Sequence, residues 1–204
     1  MRRARVVVAA AGIAVLGGCV LKHSTPARLF VLRAVAAPAA DVSGSAPRAV
    51  LGVQRVSVPA WMDRPEITSR TGKGEVLPDP LARWGEPITR GIQRVVTENL
   101  AALLPDRHLT AAPYGVRQAV DHRLDLAITE CARQADGAVL LDARWAILAP
   151  DGTVVAQRRS TQRTGAVSSA EGTVDAVSQA LGALSAEIAS AVQALPAAAA
   201  PGGP

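Results

Sequence analysis

From His122 to Arg163 the chain alternates between apolar and polar residues with a period of two, interrupted only at short turns. Leu124, Leu126 and Ile128 alternate with Asp125, Ala127 and Thr129. The segment Ala138–Leu148 then places Val139, Leu141, Ala143, Trp145 and Ile147 on one side. Pro150-Asp151-Gly152 supplies a turn, because glycine accepts positive φ and proline fixes its own φ. Val154–Arg163 returns as a third strand that grows polar along its length. Successive side chains of a strand face opposite ways, so this pattern predicts an antiparallel meander with one buried and one wet face. The wet face should carry Asp142, Arg144 and Arg158.

Two segments have a helical period instead. Ile88, Ile92, Val95, Val96, Leu100, Leu103 and Leu104 recur at helical spacing, with Glu86 and Pro87 suited to the first turn and Pro105 ending the run. Val174, Val177, Leu181, Leu184, Ile188, Val192 and Leu195 form a second stripe, opened by the capping box Ser168-Ser169-Ala170-Glu171. Shorter strands are expected at 27–34, 48–58, 66–70 and 109–114. The sequence 71–85, rich in proline, glycine and charge, reads as loop. This order predicts an α+β domain over 27–195: an antiparallel sheet with two amphipathic helices packed on one face.

The N-terminus is of another kind. Arg2, Arg3 and Arg5 precede the uncharged run Val6–Leu16, which leads into Leu16-Gly17-Gly18-Cys19. A membrane-spanning helix takes roughly 20 apolar residues, so this run is too short and reads as an export signal. Cysteine after two small residues is what lipoprotein signal peptidase cuts. Residues 1–18 are thus expected to leave, with Cys19 acylated and 19–26 a polar tether. One acyl chain binds a membrane reversibly, whereas two or three hold firmly. Val20 stands where aspartate would retain a lipoprotein at the inner membrane, which points to the outer membrane, with the domain facing the periplasm. Residues 196–204 should be a disordered tail.

Loss of 1–18 lowers the formal charge from +5 to +2. No dense basic stripe is left, so nucleic-acid binding is not expected. Once Cys19 is acylated, Cys131 is the remaining thiol, which excludes an intrachain disulfide and a cysteine-based metal site. The three histidines, His23, His108 and His122, have no zinc-site spacing, and no nucleophile elbow or phosphate-binding loop occurs. Thr71-Gly72-Lys73-Gly74 lacks the upstream glycine and following helix of a Walker motif. No catalytic residue, metal or cofactor is expected.

What remains for function is a pair of loop tryptophans. Trp61 lies in Pro59-Ala60-Trp61-Met62-Asp63-Arg64-Pro65, and Trp84 in Arg83-Trp84-Gly85-Glu86-Pro87. Aromatic side chains beside arginines suit a recognition surface. The alternative, that both rings fold back to seal the core, is compatible with it.

These residues carry a resemblance. Val58-Pro59, Met62-Asp63-Arg64-Pro65, Arg70, Arg83-Trp84, Glu86-Pro87 and the span Ile92–Leu100 resemble the ABC-type transport auxiliary lipoproteins, the PqiC-like group. The first strand departs from the family's Tyr-Tyr-Leu type, reading Leu29-Phe30-Val31-Leu32. The resemblance implies an accessory subunit without catalysis, anchored in the outer membrane. It implies work with an MCE-domain protein and an inner-membrane ABC transporter, carrying lipids between membranes and supporting envelope integrity, with a ring of copies as one form. Trp61, Asp63, Arg64, Arg70, Arg83 and Trp84 are the candidates for partner binding. A lipid-binding shuttle and, further off, a periplasmic hydrolase are the alternatives.

Overall fold

The computed structural model describes residues 25–37, 49–112 and 119–195. The export segment, Cys19 and the 196–204 tail lie outside the described residues. Ten elements follow in order: β1 (Arg28–Phe30), β2 (Ala49–Val53), β3 (Glu66–Arg70), β4 (Val76–Trp84), α1 (Ile88–Leu103), β5 (Arg107–Ala111), β6 (His122–Arg133), β7 (Ala138–Leu148), β8 (Val154–Ala166) and α2 (Ala170–Gln193).

The meander is present as expected. β7 pairs antiparallel with both β6 and β8 over nearly its whole length. Its turns use Gly137 at φ 84° and Gly152 at φ 88°, a conformation that side-chain-bearing residues rarely adopt. Val139, Leu141, Ala143, Trp145 and Ile147 are all buried, as are Leu124, Leu126 and Ile128 across the ladder. The buried Trp145 donates its indole N–H to Ser160 Oγ at 2.9 Å, so its polar handle is satisfied inside the core.

The sheet is not antiparallel throughout. It is a mixed eight-stranded sheet ordered β1-β4-β3-β6-β2-β5, with β7 and β8 added to the other edge of β6. β2 runs parallel to β5 and β6, β3 parallel to β6, and β1 parallel to β4. One edge of β6 is therefore shared: β2 takes its start at Leu51↔His122, and β3 takes its end at Ser69↔Arg133. Side-chain alternation reports which face a residue occupies but not the direction of its neighbour, which is why the parallel pairs escaped the sequence pattern.

β4 also corrects the expected loop. It carries Pro78 and Pro80, residues that cannot donate to a ladder. They are tolerated because β1 covers only Ala82–Trp84, and the β3 register breaks between Glu66 and Thr68 beside them.

The helices pack against each other, α2 over β6–β8 and α1 beside β5. Their apolar stripes join the buried face of the meander in one core. Ser169 caps α2 by accepting from Gly172 N–H at 3.0 Å. Pro87 occupies the N-cap of α1 and makes no side-chain cap bond. No helix among the described residues is long and apolar enough to cross a membrane.

Candidate functional site

The loop after β2 turns back at Pro59, whose carbonyl accepts from Met62 N–H at 2.9 Å and Asp63 N–H at 3.3 Å. Met62 is buried and pins the turn to the core, leaving Asp63 exposed at its tip. Trp84 N–H donates to Pro65 O at 2.7 Å, joining the end of β4 to that turn. Gly85 N–H donates to Phe30 O at 2.7 Å, joining it to β1. Three segments distant in sequence thus meet at the N-terminus of α1.

Between them lies a pocket of about 350 Å³, lined by Asp63, Arg64, Pro65, Trp84, Glu86 and Pro87 among others. Trp84 is half-buried, with part of its ring on the core and part forming the pocket wall. The core-sealing reading of the tryptophan holds in part, and the rest of the ring is open to the pocket. The volume is near the small end for ligand sites and admits one or two side chains of a partner.

The charges here are largely fixed. Arg64 Nε donates to Glu66 Oε2 at 3.1 Å, and Arg83 lies 3.5 Å from the same carboxylate. Glu66 is held below its ordinary pKa, first by the Arg64 hydrogen bond, so it stays ionised. Glu86 accepts from Arg94 at 2.6 Å. Asp63 has no ion-pair partner among the described residues, which leaves its carboxylate available to another molecule.

The six candidates do not form one cluster. Asp63, Arg64 and Trp84 line the pocket, and Arg83 sits beside them through Glu66. Trp61 and Arg70 pair elsewhere: the Arg70 guanidinium lies 5.0 Å from the Trp61 ring centroid and 4.0 Å from Glu130. Burial raises the Glu130 pKa while Arg70 opposes the shift. This second cluster is half-buried and braces β3 against β6.

Sequence reasoning missed a clamp on α1. Arg94 donates to Leu32 O at 2.9 Å as well as to Glu86. Asn99, fully buried, accepts from Val35 N–H at 2.9 Å and Ala36 N–H at 3.0 Å. Together they hold the extended segment after β1 against α1. The available signal was Asn99 itself, a polar residue set in the apolar stripe of Ile92, Val95, Val96 and Leu100.

The arrangement suits binding. No group of three or more His, Cys, Asp or Glu side chains among the described residues is placed to hold a metal ion. Burial raises the pKa of the Cys131 thiol to about 12, which makes it a poor nucleophile.

Comparison with known proteins agrees on the fold. The family model described as ABC-type transport auxiliary lipoprotein component matches residues 30–189. No curated protein matches the chain. Among solved structures, an uncharacterized protein is similar with a TM-score of 0.69 at 18% identity, over 82% of this chain and 99% of that one. A Xanthomonas campestris protein of family DUF330 is similar with a TM-score of 0.66 at 20% identity, over 80% of this chain and 93% of that one. A PelC dodecamer from Paraburkholderia phytofirmans reaches a TM-score of 0.42 at 13% identity, over 75% of this chain and 92% of that one.

Proposed function

This chain belongs to the ABC-type transport auxiliary lipoproteins, and from that premise we propose that it is the outer-membrane subunit of an MCE/ABC-type lipid transport system. Family membership makes it an auxiliary, membrane-anchored lipoprotein component of ABC-type transport. The finer reading is that acyl chains on Cys19 hold it at the periplasmic side of the outer membrane. There its body docks the MCE-domain protein, as a single copy or as a ring of copies, and so supports envelope integrity.

The observation that carries this reading is the pocket at the start of α1. Asp63, Arg64 and Trp84 come from different segments, yet they converge on one exposed depression. A tryptophan wall flanked by an arginine and an unpaired carboxylate has the composition of an interface anchor. Arg83 flanks it through Glu66, whereas Trp61 and Arg70 stand apart from it in their own stack.

Replacing Trp84 with Ala and Arg64 with Gln tests the docking role. Co-purification of the MCE-domain protein from envelopes should fall about fivefold in each variant while the lipoprotein stays folded, with Trp84→Ala melting lower because part of its ring packs on the core. Undiminished recovery of the partner with both variants would remove the pocket from the interface. Arg70→Gln is the contrast: it should lower the melting temperature through the lost Trp61 and Glu130 contacts.

A further inference from the structure

The helix-free face of the sheet carries a groove of about 1160 Å³ that has no part in the pocket at α1. Its floor includes Ala127, Ala146 and Leu148, and its lining is rich in arginine. Arg55 follows β2, Arg123 lies on β6, Arg144 on β7 and Arg159 on β8. The register puts Arg144 beside Ala127 on one side and Arg159 on the other, and Ser57 beside Ala127 by a parallel bridge. Arg144 and Arg159 sit side by side at this level, while Arg123, opposite Leu148, lies four residues along β6 and Arg55 follows the end of β2.

Only one of the four is neutralised internally. Arg159 donates to Asp142 at 2.9 and 2.6 Å, and Asp142 titrates at about 2, first because of that hydrogen bond. Arg55, Arg123 and Arg144 have no ion-pair partner among the described residues. Asp125 is the one carboxylate among the lining residues. Arg144 and Arg159 are also directly opposite, and like charges so placed repel; Asp142 neutralises Arg159 but makes no ion pair with Arg144.

We propose that this groove binds an acidic polypeptide segment of another protein, through Arg55, Arg123, Arg144 and Arg159. Residues along a strand are about 3.3 Å apart, so Arg123 stands roughly 13 Å along β6 from Ala127, the residue opposite Arg144. One phosphate group cannot engage charges spread that far, whereas about ten residues of helix can carry carboxylates over the same length. The segment cannot come from the rest of this chain. Residues 1–24, 113–118 and 196–204 contain no Asp or Glu, and 38–48 contain Asp41 alone. The inference rests on the docking role only for which protein carries the segment; the groove's binding is measurable by itself.

The test uses the full chain in mild detergent with a fluorescein-labelled 15-residue peptide rich in glutamate, read by anisotropy. Binding should be saturable and weaken as salt rises from 0.05 to 0.3 M, since such contacts are screened. The pair R123Q/R144Q should lose about fivefold in affinity at an unchanged melting temperature. Arg28→Gln, an exposed arginine on β1, should bind as the parent does. No binding by the parent protein, or equal loss with Arg28→Gln, overturns the proposal. So does arginine-dependent binding to phosphatidylglycerol vesicles in the absence of peptide binding, which would assign the groove to a lipid headgroup. Failure here would leave the Trp84 pocket and its co-purification test untouched.

Discussion

Gly182 of α2 sets two effects of opposite sign against each other. A Cβ there would lie 2.5 Å from Val35 Cγ2, where carbon pairs rest at about 3.5–4.0 Å. Helix propensity alone would favour Gly182→Ala by about 1 kcal/mol. Relieving the contact requires Val35 to move by about 1 Å. Val35 is tied down, because Asn99 accepts from its N–H at 2.9 Å and Ser178 Oγ accepts from Arg33 N–H at 3.2 Å. Forcing packed groups apart costs about 1–3 kcal/mol. Gly182→Ala should therefore be a net loss of about 1 kcal/mol, a fall of about 2–4 °C in melting temperature for a domain of this size. The control is the same change in a Val35→Ala background. Val35 is 46% exposed, so trimming it removes the obstacle at small cost. In that background the propensity gain should appear, and Gly182→Ala should stabilise by about 0.5–1 kcal/mol. Urea denaturation of the four proteins gives the cycle. Stabilisation by Gly182→Ala in the parent protein, or an identical effect in both backgrounds, would refute the reasoning.

The remaining predictions concern other parts of the body. Asp142 is depressed to about 2 by Arg159, so its contribution is full above the unfolded aspartate value and is lost as pH falls through about 2; urea midpoints between pH 5 and 2 should drop less for Asp142→Asn than for the parent. Trp145→Phe removes the donor to Ser160 Oγ and part of a buried ring, and should lower stability by about 2 kcal/mol in urea melts. Cys131, buried, should resist Ellman's reagent in the folded protein. In denaturant one thiol per chain should react if Cys19 is acylated; two would show a free Cys19.

How far the sequence could be read depended on local chemistry. The β6 and β7 limits followed from alternation bounded by turns, and α2 from its capping box, since each signal arises within a few residues. β8 runs on to Ala166, three residues past Arg163, because the ladder to Ala138 continues through Thr164-Gly165-Ala166, which carry no apolar–polar alternation. β2 is shorter than 48–58: it stops at Val53, and the frame then shifts so that Val56 joins Leu51 and Val53 in the core. β4 was illegible because two prolines disguised a strand whose flank is open beside them. Asp142, expected on a wet face, is covered by Arg159 from the neighbouring strand, a cross-strand contact that spacing along the chain does not reveal.

The candidate site was legible in part. Asp63, Arg64 and Trp84 were singled out as loop residues and do converge, because Pro59, Pro65 and Pro87 fix the turns that aim them. Trp61 and Arg70 belong to a separate stack, since β3 carries Arg70 away from the loop tip. Of the arginines on the bare face, only Arg144 was placed there from the sequence. They are dispersed over more than a hundred residues, and only strand pairing brings them to one face.

The docking account is tested most directly by placing a photoreactive benzophenone side chain at position 84 of the full, lipid-bearing chain in living cells. Illumination should yield one major covalent adduct in the outer-membrane fraction, with the MCE-domain protein of the transporter as its second component. A folded, acylated chain that gives no such adduct, or that is recovered outside the membrane fraction, would contradict it.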